Sequence, residues 1–343
     1  MTNQQWQTVL DVINGDVTSP TIGFIIDSPW LPGWAGISTL DYYTSDDLWL
    51  RANLNALNHF PDALFVPGFW SEYGMCTEPS AFGSRLTWSE SSLPHAHKII
   101  KQIDDVFELP APNVKNDGLL PFVINRLKQN EPAIKKAGHE IRFAVARGPL
   151  NIASFLMGTT ELMMALAMNP EKIYALLEKI TTFTIEWLQY QKECFPSIDG
   201  IMILDDIVGF IGDDDFRNFA LLFLKRIFSS FDASVRLFHN DAQGLVCAPY
   251  LKEIGVNIFN FAYDHSMPDM RQAVGKEVTL LGNLPPRDVL AAGTPEQVAG
   301  ACREMMASLN DHSRIIWSCG GGMPQNVSSE NISAFIKTVQ EFG

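Results

Sequence analysis

Short apolar runs recur along the chain, each followed by a stretch long enough for a helix. Residues 22–27, 63–67, 141–147, 200–206, 235–240, 257–261, 278–283 and 314–319 form such runs. Several show no polar alternation, as expected of strands buried on both faces. The intervening segments offer helix starts: Asn169-Pro170-Glu171 and Thr294-Pro295-Glu296 each place a capping side chain before a proline at the first helical position. After the first of these, Ile173, Leu177, Ile180, Phe183 and Trp187 recur at helical spacing and give one face to lay on a sheet. Eight strands alternating with helices predict an α/β fold, a (β/α)8 TIM barrel occupying residues 1–343 as a single domain, with an open doubly wound sheet as the alternative. No GxGxxG or Walker motif follows any run, which weakens a nucleotide-binding version of the open sheet. The least regular stretch, about residues 83–139, is polar and proline-containing; it reads as a helical excursion between strands two and three, with a lid as one use for it.

Charge narrows the partners. The formal net charge of −14 speaks against nucleic acid or an anionic membrane surface and favours small-molecule or protein partners. Five scattered cysteines do not make a disulfide framework. No basic-then-apolar leader opens the chain and no apolar run reaches membrane-spanning length, so the expected location is cytoplasmic. A homodimer is a further option.

Candidate chemistry gathers where the predicted strands end, since barrels of this kind draw catalytic side chains from those ends. The residues there are Asp27, Arg147, Asp205, Asp206, His239 with Asp241, Asn260, Asn283 and Cys319. Positions two apart on a strand point the same way, so His239 and Asp241 can converge. Cys319 is followed by Gly320-Gly321-Gly322, where the backbone can approach a ligand closely. One nitrogen, one carboxylate and one thiolate with an open fourth position match a catalytic zinc site. The alternative is a buried core cysteine and a histidine satisfied by its neighbouring acid. His95 and His97 fall where loop runs into helix and are expected to be solvated, and Asp213-Asp214-Asp215 reads as a helix N-terminus. Trp30, Trp34, Phe69, Trp70 and Tyr73 follow the first two strands and offer stacking faces for an aromatic substrate, or pack on one another as a lid.

Arg147-Gly148-Pro149, the run Gly200 to Asp206, Leu281-Gly282-Asn283-Leu284-Pro285-Pro286, Gly293-Thr294-Pro295-Glu296 and Ser318-Cys319-Gly320-Gly321-Gly322 together resemble the uroporphyrinogen decarboxylase superfamily, a (β/α)8-barrel family. The decarboxylases hold an acidic tetrapyrrole with an arginine-rich N-terminal segment, whereas residues 1–50 here contain no Lys or Arg. The other branch contains zinc-dependent methyltransferases working with a corrinoid, whose motif is His-x-Cys on one strand and a distant Cys on the last. His239-x-Asp241 and Cys319 match it with the middle ligand exchanged. The resemblance therefore implies zinc held by His239, Asp241 and Cys319, and a cobamide on a partner corrinoid protein, since no Asp-x-His-x-x-Gly motif occurs in the chain. A carboxylate in place of a thiolate makes zinc a harder acid for oxygen, which points to demethylation of a methoxylated, aromatic donor. Transfer in the opposite direction, from methyl-corrinoid to a thiol or folate, is the alternative; decarboxylation and a silent binding barrel rank below it. Asp205, Asp206 and Asp241 are the candidate catalytic acids, Asp205 or Asp206 serving as fourth ligand, as proton donor, or only as a loop anchor. Trp30, Trp34, Trp70, Tyr73, Arg147 and Asn283 are the candidate substrate contacts, with Arg147 facing either a substrate carboxylate or Asp206.

Overall fold

The computed structural model describes residues 1–17 and 19–342. Eight strands are parallel: β1 (Thr21–Ile25), β2 (Leu64–Val66), β3 (Phe143–Arg147), β4 (Gly200–Leu204), β5 (Val235–Asn240), β6 (Ile258–Phe261), β7 (Thr279–Leu284) and β8 (Ile315–Cys319). Their order across the sheet is β2-β1-β8-β7-β6-β5-β4-β3, the circular order of a barrel with its seam between β2 and β3. Alternation along each strand sorts side chains onto two faces. One face sends Ile25, Val66, Phe143, Met202, Leu204, Leu237, Ile258, Leu281 and Ile316, at least one from every strand, into a single apolar cluster. The sheet is therefore curled around these residues, while the other face packs against the helices.

At the seam no ladder joins β2 to β3 among the described residues, so side chains satisfy the free edge of β3. Gln191 accepts from the Val145 N–H at 3.0 Å and returns its amide to the Val145 carbonyl at 2.9 Å. Glu78 accepts from the Arg147 N–H at 3.0 Å. The N-terminal end of the sheet is covered by the helix Asn3–Asn14, whose Trp6, Val9 and Val12 join the inner cluster. A capping box between Thr2 and Gln5 starts that helix.

The expected strands are all present. Of the two helix starts, Thr294 forms its capping box with Gln297, but Asn169 makes no side-chain cap bond, although the helix Pro170–Cys194 begins where expected. Residues 83–139 hold the helices Asp105–Glu108 and Leu120–Lys136 and, in place of the loop expected around His95, a small antiparallel pair, Leu86–Thr87 with His95–Ala96. On extended backbone His95 and His97 share a side, and their rings stand 5.2 Å apart. Asp213–Phe216 is a helical turn whose Asp213 receives the Tyr250 hydroxyl at 2.6 Å and pairs with Arg217. No single helix is long and apolar enough to cross a membrane.

Candidate active site

The C-terminal ends of the strands open into a cavity of about 740 Å³. Its charged lining is Asp27, Glu72, Arg147, Asp206, His239, Asp241 and Arg287, set among Ile25, Trp70, Leu204 and Met323. Strand periodicity brings these groups there. Ile25, Leu204 and Leu237 face inward, so Asp27, Asp206, His239 and Asp241, each an even number of residues further on, face inward too.

His239 is aimed by its neighbour on β6. The Asn260 amide donates to the Leu281 carbonyl at 2.8 Å, which turns its oxygen towards His239 Nδ1 at 2.6 Å. Nδ1 is then the protonated nitrogen, and Nε2 presents its lone pair to the cavity when the ring is neutral. Asp206 Oδ1 lies 3.5 Å from Nε2 and also accepts the Asp241 N–H at 2.7 Å. Burial raises the Asp241 carboxyl above its ordinary value, with His239 and Arg287 pulling down and Asp206 pushing up. Gly321 matters here for two reasons: its φ of +68° is left-handed, and a Cβ on it would stand 2.4 Å from the Asp241 carboxylate.

The two adjacent acids separate. Asp206 faces the cavity, whereas Asp205 turns outward, is fully buried and accepts the Leu150 N–H at 3.0 Å. It supplies the N-terminal acceptor that Gly148 cannot provide to the helix Pro149–Met157. A Cβ at Gly148 would meet the Asp205 carboxylate at 2.3 Å, which accounts for the Arg-Gly-Pro triplet: inward Arg147, a gap for Asp205, then proline at the first helical position. Asp205 is a structural anchor, and the catalytic role expected for it is withdrawn.

Arg147 lines the cavity but makes no ion pair with Asp206. Its guanidinium binds Glu72 at 2.7 Å, both side chains buried, and lies 5.6 Å from the Trp70 ring centroid. Burial opposes its charge, but Glu72, Glu78 and Asp27 outweigh that and hold it above its ordinary value. Burial likewise lifts Glu72 well above the carboxylate range and Asp27 to about 6, in both cases against the pull of Arg147.

Of the other expected contacts, Trp70 lines the cavity and Trp30, Trp34, Tyr73 and Asn283 do not. The Trp30 indole donates to the Val327 carbonyl at 3.0 Å and its ring packs on Trp34, which is bound to Ser329. The loop after β1 turns at once into the helix Leu31–Trp34, and this carries both indoles away from the mouth. Tyr73 packs against Tyr43 with the rings tilted by 32°, and the Arg126 guanidinium lies 4.8 Å from its ring centroid. Asn283 is buried with its amide on the His265 carbonyl.

Cys319 is the larger correction. Ile316 belongs to the inner cluster, so Trp317 and Cys319 take the outer face, and Cys319 is fully buried there. Burial pushes its thiol up to about 12. Among the described residues no group of three or more His, Cys, Asp and Glu side chains could hold a metal ion. The set His239, Asp241 and Cys319 therefore does not fit zinc; His239 and Asp241 share the cavity, and Cys319 stands apart from it.

Asp27, Glu72 and Arg287 are the cavity groups that sequence reasoning did not commit to. Asp27 was legible as an inward position two residues beyond Ile25. Glu72 and Arg287 carried no signal, because Glu72 lies in a loop whose course depends on a contact distant in sequence and Arg287 in the single helical turn Pro286–Ala291 that follows β7.

Similarity to known proteins supports the architecture. The uroporphyrinogen decarboxylase (URO-D) family profile matches residues 34–342. The uroporphyrinogen decarboxylase of Coxiella burnetii is 24% identical over 308 residues, spanning 86% of this chain and 82% of its own. That of Alcanivorax borkumensis is 23% identical over 318 residues, 89% of this chain and 86% of its own. A solved methyltransferase from Methanosarcina mazei superposes with a TM-score of 0.82 at 18% identity, covering 98% of each chain. A B12-independent methionine synthase from Shewanella gives 0.55 at 12% identity over 94% of this chain and 98% of its own. With the profile matching nearly the whole chain, the protein belongs to the uroporphyrinogen decarboxylase (URO-D) family.

Proposed function

We propose that this chain is a methyltransferase that removes the methyl group of a methoxylated, aromatic substrate and passes it to cobalt(I) of a cobamide carried by a separate corrinoid protein. The observation that carries the reading is the cavity itself: raised, buried carboxyls and an oriented histidine beside the apolar faces of Trp70, Leu204 and Met323. Its size suits a small aromatic ligand. Breaking a methyl ether leaves the C–O electron pair on oxygen, and protonating that oxygen lowers the barrier. Cobalt(I) supplies the pair for the new Co–C bond and ends as Co(III). The fold shared with the Methanosarcina mazei methyltransferase supports the same reading.

Decarboxylation of a polycarboxylate fits poorly. Asp27, Glu72, Asp206 and Asp241 face the cavity, and one of its two arginines is already bound to Glu72. The three-ligand zinc set has no support in this geometry among the described residues.

The partner needs a face to dock on. Met75, Trp88, Phe210, Leu245 and Tyr263 are exposed, and all lie in segments that follow strands β2, β4, β5 and β6. The loop after β1 adds nothing to this rim, because Trp30 and Trp34 turn inward to the helices. Apolar anchors around an open mouth suit a protein partner.

The test mixes purified chain, methoxylated aromatics and reduced corrinoid, free or protein-bound, and follows methyl-Co(III) optically. Methylation of the protein-bound corrinoid, slowed by Phe210→Glu, is expected. Methylation of a thiol from methylcobalamin with no ether consumed would reverse the direction, and conversion of uroporphyrinogen would replace the reading with decarboxylation.

A further inference from the structure

A second cavity, of about 560 Å³, adjoins the first and shares Met75 and Asp206 with it. One wall is the end of the small antiparallel pair, with His95 and His97; the other is the helix Pro149–Met157, with Asn151 and Ser154. Asn151 is only 4% exposed, yet its side-chain amide makes no hydrogen bond among the described residues and is not sealed from the cavity. A buried amide that faces only a cavity is paired by whatever occupies that cavity. Donors and acceptors decide what fits. Asn151 offers both, and a neutral imidazole offers one of each. His97 uses Nε2 on the Thr87 hydroxyl at 2.7 Å, so its Nδ1 and the His95 ring, 5.2 Å away, complete the set. The Ser154 hydroxyl donates to the Asn151 carbonyl at 2.7 Å and can still accept. An anion fits badly: the one lysine of the lining, Lys98, is paired with Glu161, and Asp206 stands at the junction. An apolar group would leave the Asn151 amide without a partner. What fits is an uncharged group that donates and accepts at once.

We propose that this second cavity is a subsite for a primary carboxamide, held by the Asn151 amide and completed by the His95–His97 pair. Two amides pair head to tail, N–H to oxygen twice, so Asn151 reads both ends of the group at once. The carrier of the carboxamide rests on the methyl-transfer reading; the subsite itself rests on the geometry. Two carriers share this chemistry. One is the methyl donor, with its ring in the first cavity and a tail passing Asp206 into the second. The other is a cobamide at the mouth, whose corrin ring is edged with carboxamide side chains. Either would be anchored beside Asp206, the residue common to the two cavities.

Calorimetric titrations of the full chain separate the two carriers without turnover. The first arm compares methoxyphenyl alkanamides with alkylanisoles of matched length. The second compares cyanocobalamin with its monocarboxylic acids, each lacking one amide. In one arm the wild type should bind the amide member roughly three- to tenfold more tightly, as about one net hydrogen bond gives. Asn151→Leu and Asn151→Asp should both abolish that preference, the first by removing every polar atom and the second by keeping the shape without the donors. His95→Ala should reduce it with the urea midpoint as in wild type, because His95 is exposed, and this variant carries the test if the Asn151 variants fold poorly. A preference in the first arm assigns the subsite to the methyl donor, and one in the second arm to the cobamide. No preference in either arm, or one that survives in the Asn151 and His95 variants, overturns the subsite. An amide preference in a chain that moves no methyl from any ether to the corrinoid protein fails the methyl-transfer reading and leaves the subsite standing. Methyl transfer with no preference does the reverse.

Discussion

The inner and outer faces of the same strand ends carry the same residue types to opposite uses. Inside, Asp206, His239 and Asp241 border one cavity. Outside, Asp205 holds a helix N-terminus and Cys319 fills the core between sheet and helices. Asp205 and Asp206 are consecutive, and nothing in their chemistry distinguishes them. What separates them is the two-residue period of the strand, which gives one the solvent of the mouth and the other backbone N–H groups in a closed interior. Position along a strand says that a residue is near the active end; parity says whether it is in it.

The sharpest way to break that contrast is to exchange the paired acids one at a time. Asp206→Ala should lower kcat/KM for ether demethylation by roughly 10²-fold or more while leaving the urea midpoint near wild type. Asp205→Ala should do the reverse, losing about 1–2 kcal/mol of stability with the cap of the helix Pro149–Met157, with kcat nearly unchanged. Equal stability losses in the two variants would remove the distinction. The same logic applies to the thiol. Cys319→Ser should titrate with added Zn²⁺ as wild type does, measured by calorimetry with the metal alone. Zinc binding by wild type that is lost in Cys319→Ser would return the cysteine to the site.

How far the sequence could be read follows from the same parity. On β5, Arg236 between Val235 and Leu237 marks the outward side, so His239 and Asp241 were correctly placed together. On β8, Ile315-Ile316-Trp317 is apolar on both sides, so no polar position reveals which way Cys319 turns. The eight strands were legible because a parallel sheet covered by helices demands uninterrupted apolar runs. The helix Asn3–Asn14 went unread although its Thr2–Gln5 capping box stands in the sequence, because its apolar face is narrow: Trp6, Val9 and Val12. The pairing of Glu72 with Arg147 was beyond reach, since it joins a loop to the end of β3 across the seam and depends on how the sheet curls.

A smaller effect tests the buried acids against the solvated ones through pH. Asp27 has a folded value of about 6, above its ordinary 3.8. A raised acid is easier to ionise unfolded, so the unfolded chain releases its proton first as pH rises. Stability from this group is therefore present below about pH 4, falls between pH 4 and 6, and stays reduced above. Asp27→Asn removes the penalty, and we expect it to be about 1–2 kcal/mol more stable than wild type at pH 7.5, with the gain gone at pH 4. Urea unfolding at the two pH values checks this. A gain that is the same at both would mean that Asp27 is not perturbed by its surroundings.

The two arginines of the cavity supply the mildest and most specific comparison. Arg147 is buried and bound to Glu72, whereas Arg287 is exposed at the rim and makes no ion pair among the described residues. Removing Arg147 would strand Glu72 and Glu78 without their counter-charge, so its loss reads out as misfolding and says nothing about the substrate. Arg287 has no such duty, and its charge is available to a ligand. A methoxylated aromatic acid entering the mouth would bring its carboxylate to Arg287, while the apolar wall formed by Trp70 and Leu204 takes the ring. An exposed pair of this kind contributes up to about 1 kcal/mol, which corresponds to roughly fivefold in KM. Arg287→Ala should therefore raise KM for methoxybenzoates by about that factor with kcat unchanged, leave neutral methoxybenzenes unaffected, and lose its effect at high salt. Arg287→Lys should recover most of the difference. An equal change for charged and neutral ethers would show that Arg287 shapes the rim without reading charge.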